Sequence, residues 1–393
     1  MSESEHPPEP SPGRLVAVLV DIDDMWGRRI VQAVSEYSHA KNWQLLIAPR
    51  DTQGRLRIPP QWQPDGAIVS MRDKSMVAHV KSAEVPTINV SGMYLDEGWA
   101  GHVATDDEVR ATMAVDHLRS RRIQHFASYA PAIGRYNIER EQAFVSEVRK
   151  AGFQCSCYTN TKWYRQSTWL DDRQNVGEWI DSLPKPVGVF AADPYPARQL
   201  VEICAWRGYE IPEEVAILSG DEDDLLCESA SPPITSIELA SHRIGHEASR
   251  MLDQRLADRD VQQPVQRVKP LRVCMRRSTE SRHISDPAVA SCVRVIWESP
   301  PDRVEVRDLV KVARVSRRTL EQKFRDKLGR TPAEEIRRMR LEKARQLIVS
   351  TSLSIATIAE TCGLSSGPYL SRIFRKYYGI TPSELRSGRS VNV

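Results

Sequence analysis

The sequence predicts two α/β lobes followed by an all-helical domain, and three observations support this fold class. Between residues 14 and 280, short apolar runs alternate with segments of helical periodicity. These runs lack the polar alternation of half-exposed strands, which is typical of parallel sheets covered on both faces. About 265 residues of this pattern are too many for one compact sheet, so we expect two doubly wound lobes. After Asp286-Pro287 the chain becomes helical throughout, with arginine-rich faces.

The individual elements follow from the same patterns. We predict strands at residues 15–21, 43–48, 66–70, 85–90, 124–129, 187–191 and 215–219. We predict helices at residues 25–39, 75–83, 107–121, 138–151, 174–182 and 196–207. A last extended run is expected at 268–275, just before Arg276-Arg277-Ser278-Thr279. The predicted domains are a disordered tail (1–13), an α/β sensor (14–281), a linker (282–286) and a helical domain (287–388).

Composition places the chain among ordinary globular proteins. It has 393 residues, of which 40% are hydrophobic and 27% charged. No apolar run approaches the ~20 residues that span a bilayer, so we expect no membrane partner. The Pro-rich N-terminus lacks the basic and apolar regions of a signal peptide. Together with seven cysteines that show no pairing pattern, this predicts a cytoplasmic protein with reduced thiols.

The net charge of +3 hides an asymmetry between the two parts of the chain. Residues 286–393 contain 21 Lys and Arg against 12 Asp and Glu, a net charge of +9. The preceding residues contain 34 basic and 40 acidic side chains, a net charge of −6. A basic C-terminal third indicates an anionic partner for that end of the chain, and nucleic acid is the first candidate.

The C-terminal region contains an internal repeat with a period of about 50 residues. The first copy runs from Leu309 through Ser316, Leu320 and Phe324-Arg325 to Gly329 and Thr331-Pro332. The second copy runs from Ile358 through Ser365, Leu370 and Phe374-Arg375 to Gly379 and Thr381-Pro382. The first halves align at an offset of 49 and the second halves at 50, so the second copy has one extra residue in or just after its turn.

Each copy has the pattern of a helix-turn-helix. The apolar pairs Leu309/Ala313 and Ile358/Cys362 are expected to pack against Leu320/Phe324 and Leu370/Phe374, respectively. Ser316 and Ser365 are natural N-caps for the second helices. Gly363 suits a tight turn with positive φ, and Arg314 holds the matching place in the first copy, where a side chain is mildly unfavourable.

The second helix of each copy is the predicted DNA-reading element. Arg and Gln side chains have the geometry to contact guanine and adenine edges in the major groove. Residues 332–350 form one predicted helix between the copies, about 28 Å long, which can place the two reading helices near one ~34 Å turn of DNA apart. The predicted DNA-contacting residues are Arg317, Arg318, Thr319, Gln322, Ser366, Gly367, Tyr369 and Arg372.

This tandem arrangement, with a Phe-Arg pair and a Gly-x-Thr-Pro motif closing each copy, resembles the AraC-family DNA-binding domain over about residues 286–386. The resemblance implies binding to DNA at direct half-sites. The alternative is a helical protein-interaction domain whose arginines form only a solvated face.

The front part resembles the LacI/GalR and periplasmic sugar-binding fold, through four segments in the expected order. These are His102-Val-Ala-Thr-Asp106-Asp107, Val189-Phe-Ala-Ala-Asp193-x-x-x-Ala197, Gly208-Tyr-Glu-Ile211-Pro212-Glu-Glu-Val215 with Gly220-Asp221, and Pro232-Pro-Ile-Thr235-Ser236-Ile237. The helix-turn-helix that usually precedes this fold is absent, its place taken by the Pro-rich tail, so DNA binding is assigned to the C-terminal domain.

The resemblance implies a small sugar bound between the lobes, with polar contacts from Asp106, Arg140, Asp193 and Asp221. Trp26, just past the first strand, is the candidate aromatic side chain for stacking on the sugar. Alternatively, Trp26 is a partly buried lobe residue, Asp221 belongs to a solvated turn, and Arg140 is a surface charge. The family's Asn beside Asp193 is Ala192 here, and Asp107 stands where Asn is usual, so the identity of the sugar stays open.

A LacI-like sensor ahead of an AraC-like domain resembles the activators of D-xylose operons. This implies a transcription regulator whose effector is a small sugar, D-xylose first, and whose partners are operator DNA, RNA polymerase and a second copy in a homodimer. A different sugar, or repression in place of activation, remains an alternative within this class. A sugar-binding protein without a DNA role and an enzyme of the same architecture are the other candidate classes. No G-x-G-x-x-G, P-loop or nucleophile elbow is present, so we expect no cofactor and no catalysis. His242 and His246 have a spacing that can bind a metal, but no third ligand follows them, so we expect no metal site.

Overall fold

A computed structural model describes residues 13–131, 135–158, 169–258, 261, 263–280, 286–328, 330–351, 353–378 and 381–386. It divides the chain into two compact units, Met1–Ser281 and Arg282–Val393. The predicted tail up to residue 12, most of the predicted linker (282–285), and the repeat glycines Gly329 and Gly379 lie outside the described residues.

The first unit alternates strands and helices along the chain. Its strands are β1 (Leu15–Leu19), β2 (Gln44–Ile47), β3 (Gly66–Val69), β4 (Thr87–Asn89), β5 (Gly101–Thr105), β6 (His125–Tyr129), β7 (Cys155–Cys157), β8 (Val187–Ala191), β9 (Val215–Ser219), β10 (Thr235–Glu238), β11 (Gln266–Val268) and β12 (Arg272–Cys274). Its helices are α1 (Met25–Lys41), α2 (Lys74–Lys81), α3 (Asp107–Ser120), α4 (Arg135–Lys150), α5 (Trp169–Ser182), α6 (Pro194–Arg207), α7 (Asp224–Glu228) and α8 (Ser241–Ala257).

These elements form two lobes, each built on a six-stranded sheet among the described residues. The strand orders are β11-β5-β4-β3-β1-β2 in the first lobe and β12-β10-β9-β8-β6-β7 in the second. Neighbouring strands run parallel, except that β12 pairs antiparallel with β10. The predicted pair of doubly wound lobes is confirmed. In such sheets ligands bind at the carboxyl ends of the strands where the winding reverses, here between β1 and β3 and between β6 and β8.

The chain crosses between the lobes three times, and each crossing follows a strand. It passes from β5 to α3, which packs on α4 in the second lobe, and returns from β10 to α8, which packs on α1 in the first. The third crossing lies within residues 268–275, where the prediction of a single extended run is wrong. Its first residue ends β11 in the first sheet, whereas residues 272–274 form β12 in the second. Local apolar pattern cannot show this division, because it depends on pairing with distant strands.

The second unit is helical, as predicted. Its helices are α9 (Pro287–Glu298), α10 (Val306–Ala313), α11 (Arg317–Leu328), α12 (Pro332–Ser350), α13 (Ile355–Thr361), α14 (Gly367–Tyr378) and α15 (Pro382–Arg386). The predicted apolar pairs are confirmed: Leu309, Ala313, Leu320 and Phe324 share one core, and Ile358, Cys362, Leu370 and Phe374 share another.

Helix α12 joins these two cores. Ile336 and Met339, in its first half, belong to the core of α10 and α11. Leu341, Ala344 and Ile348, in its second half, belong to the core of α13 and α14. One continuous helix therefore links two helix-turn-helix modules. Across the described part of the chain, no helix has both the length and the apolarity needed to cross a bilayer.

Candidate functional site

In the first lobe, charged side chains gather where β1 and β3 end. Asp21 follows β1 and Arg72 follows β3, and their side chains form an ion pair at 2.8 Å. Asp24 caps α1 by accepting from the backbone N–H of Gly27 at 2.7 Å. Its burial raises its carboxyl pKa, and the nearby charge of Asp193 from the other lobe adds to that rise, whereas Arg72 opposes it. The electrostatic influence of Asp193 indicates that the two strand edges lie close to each other.

In the second lobe, the structure brings together three of the predicted contact residues. Arg140, on α4, donates from Nη1 to the carbonyl oxygen of Ala192 at 2.9 Å. The same nitrogen lies 3.7 Å from Oδ2 of Asp193, and Nη2 lies 3.9 Å from Oδ2 of Asp221. Asp193 follows β8 and Asp221 follows β9, so one guanidinium stands between two carboxylates at the carboxyl edge of the sheet.

Asp221 has an unusual protonation equilibrium. Its side chain is buried, and desolvation raises its pKa to about 7, even though Arg140 and Arg110 both favour the charged form. The negative charge of Asp193 raises the pKa further. A carboxyl group that titrates near neutrality can accept or donate a hydrogen bond to a hydroxyl group, as its partners require. The predicted alternative for Asp221, a solvated turn, is wrong because only 8% of the residue is exposed.

Asp106, the fourth predicted polar contact, is the N-cap of α3. It accepts from the backbone N–H of Val109 at 3.1 Å. The ion pair at this turn is made by the next residue, since Asp107 Oδ1 lies 3.2 Å from Nη2 of Arg110. Asp106 therefore has a structural role at the first lobe crossing, and its contact with an effector stays a prediction.

Sequence reasoning missed Arg110, which is 2% exposed. It lies on the first turn of α3, and the charges of Arg140, Asp221 and Asp193 act on it. Burial lowers the pKa of its guanidinium to about 10, and the charge of Arg140 adds to this. A signal was present in the sequence, because Arg110 shares the buried side of α3 with Ala114 and Leu118 at helical spacing.

Trp26 lies on the first turn of α1, half-buried. It packs against apolar clusters of both lobes, one around β1 and α8 and one around α3 and β8. Close by, the backbone N–H of Met25 donates to Asp223 at 3.2 Å, and Arg29 pairs with Glu238 at 3.3 Å. The start of α1 therefore contacts the second lobe, and Trp26 is partly buried there; its stacking on a sugar stays a prediction.

One cluster in the described residues has donor atoms spaced as for a metal ion: Glu222, Glu238 and Cys274. Two arginines already neutralise it, since Arg276 lies 2.7 Å from Glu222 and Arg272 lies 2.8 Å from Glu238. Burial and the two carboxylates raise the pKa of the Cys274 thiol, which keeps it protonated and a poor metal ligand. We therefore assign this cluster a structural role.

In both helix-turn-helix motifs the turn has a residue with positive φ, as predicted. Gly363 has φ of 67° and Arg314 has φ of 52°, so both matching positions are left-handed. Ser316 caps α11 by accepting from the N–H of Thr319 at 3.1 Å, as predicted. In the second copy the predicted cap is wrong: Ser366, not Ser365, accepts from the N–H of Tyr369 at 3.2 Å. The extra residue of the second copy therefore lies ahead of Ser366, inside the turn.

The side chains predicted to contact DNA divide into exposed and structural groups. Arg317, Arg318, Thr319, Gln322, Ser366 and Arg372 are exposed, and Tyr369 is half-buried. Gly367 is buried instead, because a Cβ there would lie 3.3 Å from the backbone of Ala356. It allows α14 to approach α13 closely and is not positioned to contact a base.

Side-chain contacts hold two of the exposed arginines on the predicted DNA-reading helices α11 and α14. Arg317 forms an ion pair with Glu321 at 3.1 Å, whereas Arg318 has no ion-pair partner among the described residues. Arg372 lies over the ring of Tyr369, 5.4 Å from its centroid. Between the two modules lies a groove of about 640 Å³, whose lining includes Arg307, Arg317, Arg337 and Arg340. This surface therefore combines exposed guanidinium groups with an arginine-rich groove.

Comparison with known families divides the chain in the same way. Residues 15–108 match the XylR N-terminal domain, residues 115–279 a periplasmic binding protein-like domain, and residues 309–388 a helix-turn-helix domain. The xylose operon regulatory protein of Haemophilus influenzae is 27% identical over 384 residues, covering 94% of this chain and 97% of that protein. Its Escherichia coli K12 counterpart is 29% identical over 385 residues, covering 95% and 97%.

A solved structure also matches most of the chain. The xylose-binding transcription activator XylR has 26% sequence identity and a TM-score of 0.64, covering 97% of this chain and 100% of that one. The fold, the site and these matches define a DNA-binding transcription regulator with an effector-sensing domain, and not an enzyme. The chain is built from a XylR-type, periplasmic-binding-protein-like sensor followed by an AraC-type tandem helix-turn-helix domain.

Proposed function

We propose that this chain is a cytoplasmic activator of a sugar catabolic operon, and that its effector is a small sugar, D-xylose first, bound between the two lobes. The observation that carries the proposal is the position of Arg140, within 3.9 Å of both Asp193 and Asp221 at the carboxyl edge of the second sheet. The names of the two relatives, both xylose operon regulatory proteins, support xylose. Action on chromosomal DNA and seven free thiols support the cytoplasm.

The chemistry of the cleft suits a polyol. Carboxylates of Asp193 and Asp221 accept hydrogen bonds from vicinal hydroxyl groups, and the guanidinium of Arg140 donates to hydroxyl or ring oxygens. Asp106, at the first lobe crossing, adds a carboxylate beyond the one oxygen that caps α3. Trp26 offers an aromatic face for the C–H groups of the sugar.

Switching requires that the sugar bind one arrangement of the protein more tightly than another. A ligand that contacts both strand edges favours the arrangement in which the lobes are closed. We propose that closure changes the affinity of a homodimer for direct half-sites on operator DNA, with the two helix-turn-helix modules contacting DNA and RNA polymerase recruited to the promoter.

Calorimetric titration of the full chain with D-xylose, L-arabinose, D-ribose, D-glucose and a sugar phosphate tests the effector assignment. We expect D-xylose alone to bind, and Asp221→Ala and Arg140→Ala to abolish binding. Arg198→Ala is the matched control, since Arg198 forms an exposed ion pair with Glu202 on α6. Binding of another sugar would replace xylose as effector, and silence across the panel would contradict sugar sensing.

The oligomeric state and the sign of regulation need separate measurements. Size-exclusion chromatography with light scattering is expected to give a dimer at micromolar concentration, with sugar and DNA present. A monomer under all these conditions would contradict the homodimer. A promoter–reporter assay in which xylose lowers transcription would replace activation by repression.

A further inference from the structure

Arg110 is the most deeply buried guanidinium near the proposed effector site, and its hydrogen bonding is incomplete. Its side chain is 2% exposed, and one nitrogen, Nη2, pairs with Asp107 at 3.2 Å. Within the described residues, Nε and Nη1 are buried without a hydrogen-bond partner. Burying such donors without partners is costly, so a molecule bound beside them, either a ligand or an ordered water, is needed to accept their hydrogen bonds.

The location of Arg110 indicates what that partner is. The first turn of α3 lies at the crossing from the first lobe to the second, and its Asp107 reaches back to the first lobe: Oδ2 lies 3.8 Å from where a Cβ on Gly92, just after β4, would be. The guanidinium also lies within electrostatic reach of Arg140, Asp193 and Asp221. Its unpartnered donors therefore belong to the same interlobe cleft as the predicted sugar contacts.

We propose that Arg110 is an effector-contacting residue whose Nε–H and Nη1–H donate to oxygen atoms of a neutral sugar held by Arg140, Asp193 and Asp221. This inference rests on the proposed function, and it adds a specificity determinant on the lobe crossing itself. Because α3 follows directly from a strand of the first lobe, a bond to Arg110 ties the sugar to the segment about which the lobes move.

The charges around Arg110 favour a neutral ligand. Two guanidinium groups, those of Arg110 and Arg140, are accompanied by three carboxyl groups, those of Asp107, Asp193 and Asp221. The pair Arg110–Asp107 compensates itself, and Arg140 stands between the other two. No net positive charge is left for a phosphate or carboxylate, so the oxygens that accept hydrogen bonds from Arg110 are hydroxyl or ring oxygens.

The test compares the unmodified full chain with Arg110→Met, which keeps most of the side-chain volume and removes the donors. Arg119→Met, at an exposed position on the last turn of the same helix, is the matched control. Calorimetry measures the Kd for D-xylose and for its monodeoxy analogues, and thermal unfolding without sugar measures the effect on the fold. A sugar acid, D-xylonate, tests the charge of the ligand.

We expect Arg110→Met to weaken D-xylose binding about 10- to 100-fold, since a hydrogen bond from a charged donor is lost. Its melting temperature without sugar should stay close to that of the unmodified chain, because removing a buried charge with unmatched donors offsets the loss of the pair with Asp107, whose side chain is 21% exposed. One monodeoxy analogue should bind the unmodified chain more weakly and lose nothing further in Arg110→Met, which locates the contacted oxygen.

Equal Kd values for Arg110→Met and the unmodified chain would overturn the inference while leaving sugar sensing intact. The inference would also be overturned if Arg110→Met and every monodeoxy analogue lost affinity independently of each other. Tighter binding of D-xylonate than of D-xylose would contradict a neutral ligand. Failure of the unmodified chain to bind any sugar would contradict the proposed function itself. In that case a lower melting temperature for Arg110→Met would assign Arg110 to structure alone.

Discussion

Arg276 and Glu222 form a buried ion pair at 2.7 Å, with each side chain 3% exposed. Glu222 follows Asp221 directly, and its N–H donates to the Asp221 carboxylate at 2.7 Å. Arg276 also donates from Nη1 to Ser236 at 2.8 Å. The loop that carries Asp221 is therefore bonded to residue 276, four residues before the last described position of the first unit.

The residues after Arg276 are fixed to the same lobe. Ser278 donates to the carbonyl oxygen of Ile217 at 2.5 Å, and Thr279 lies 2.8 Å from both Thr235 and Nε2 of His117. Through these bonds the segment leading to the second unit is tied to β9 and β10. A change at Asp221 thus has a direct structural route to the end of the sensor.

We expect Arg276→Met to lower the free energy of unfolding of the sensor by about 3–5 kcal/mol, because it leaves Glu222 buried without its partner. Urea unfolding followed by circular dichroism measures this change. Arg198→Met, in the exposed pair with Glu202, should change stability by less than about 1 kcal/mol. Equal effects of the two substitutions would show that the buried pair has no special role in stability.

The pKa of Asp221 predicts a pH-dependent difference between the unmodified chain and Asp221→Asn. Its folded-state pKa of about 7 lies above the ordinary 3.8, so raising the pH ionises Asp221 in the unfolded state first. The unmodified sensor therefore loses stability relative to Asp221→Asn between about pH 4 and 7, by up to about 4 kcal/mol. Denaturant unfolding at a series of pH values measures the difference.

His117 acts with the opposite sign and must be separated from this effect. Burial lowers its pKa to about 3, so its contribution to stability is present above pH 6.5 and is lost as the pH falls. Both chains share His117, and the comparison cancels it. Asp116→Asn, at an exposed position of α3, is the matched control substitution and is measured over the same pH series. A stability difference between the unmodified chain and Asp221→Asn that does not change with pH would contradict a buried Asp221 carboxyl group with a raised pKa.

The reading helices predict separable effects on DNA binding. Arg318→Ala and Arg372→Ala should each cost about 1–3 kcal/mol on the preferred DNA and relax base preference at one position. Arg337→Ala, in the groove between the modules, should weaken specific and random DNA alike. Fluorescence anisotropy with both DNAs measures the three variants. Unchanged binding by Arg318→Ala and Arg372→Ala would refute the assignment of the reading helices.

Substitutions at the two turn positions, Arg314 and Gly363, should change the stability of their modules in opposite directions. Arg314→Gly removes the cost of a side chain at φ of 52° and should stabilise the first module by ~0.5–1 kcal/mol. Gly363→Ala adds a Cβ that would lie 2.7 Å from Cα of Asp302, and should destabilise the second module. Hydrogen exchange of peptides from α10–α11 and α13–α14 measures each module separately. Destabilisation by Arg314→Gly would show that its side chain makes a stabilising contact.

The sequence predicted elements whose signal is local. The apolar runs at 15–21 and 215–219 form central strands, and residues 332–350 form one helix. The strand Gly101–Thr105 was missed because Gly and His interrupt its apolar pattern. The run at 268–275 was divided between two sheets because each half pairs with a strand far away in sequence.

The residues of the candidate site, like the elements of the fold, could be predicted only where their signal is local. Arg140, Asp193 and Asp221 could be placed together because each is anchored to a strand end or its following helix in a recognisable fold. The helical spacing of Arg110 with Ala114 and Leu118 indicates its burial, but not its position beside these three site residues, which arises only when α3 crosses into the second lobe. The cap at Ser366 was assigned one residue early because an alignment of the copies does not fix where inside a turn an extra residue lies.

The most direct test of the whole account is the affinity of the full chain for DNA with and without its sugar. The DNA is selected in vitro by the protein itself, and anisotropy titrations are repeated at saturating D-xylose. We predict that the sugar changes the Kd at least fivefold, and that Asp221→Ala and Arg140→Ala abolish this change. Equal affinities with and without a sugar that demonstrably binds the cleft would contradict it.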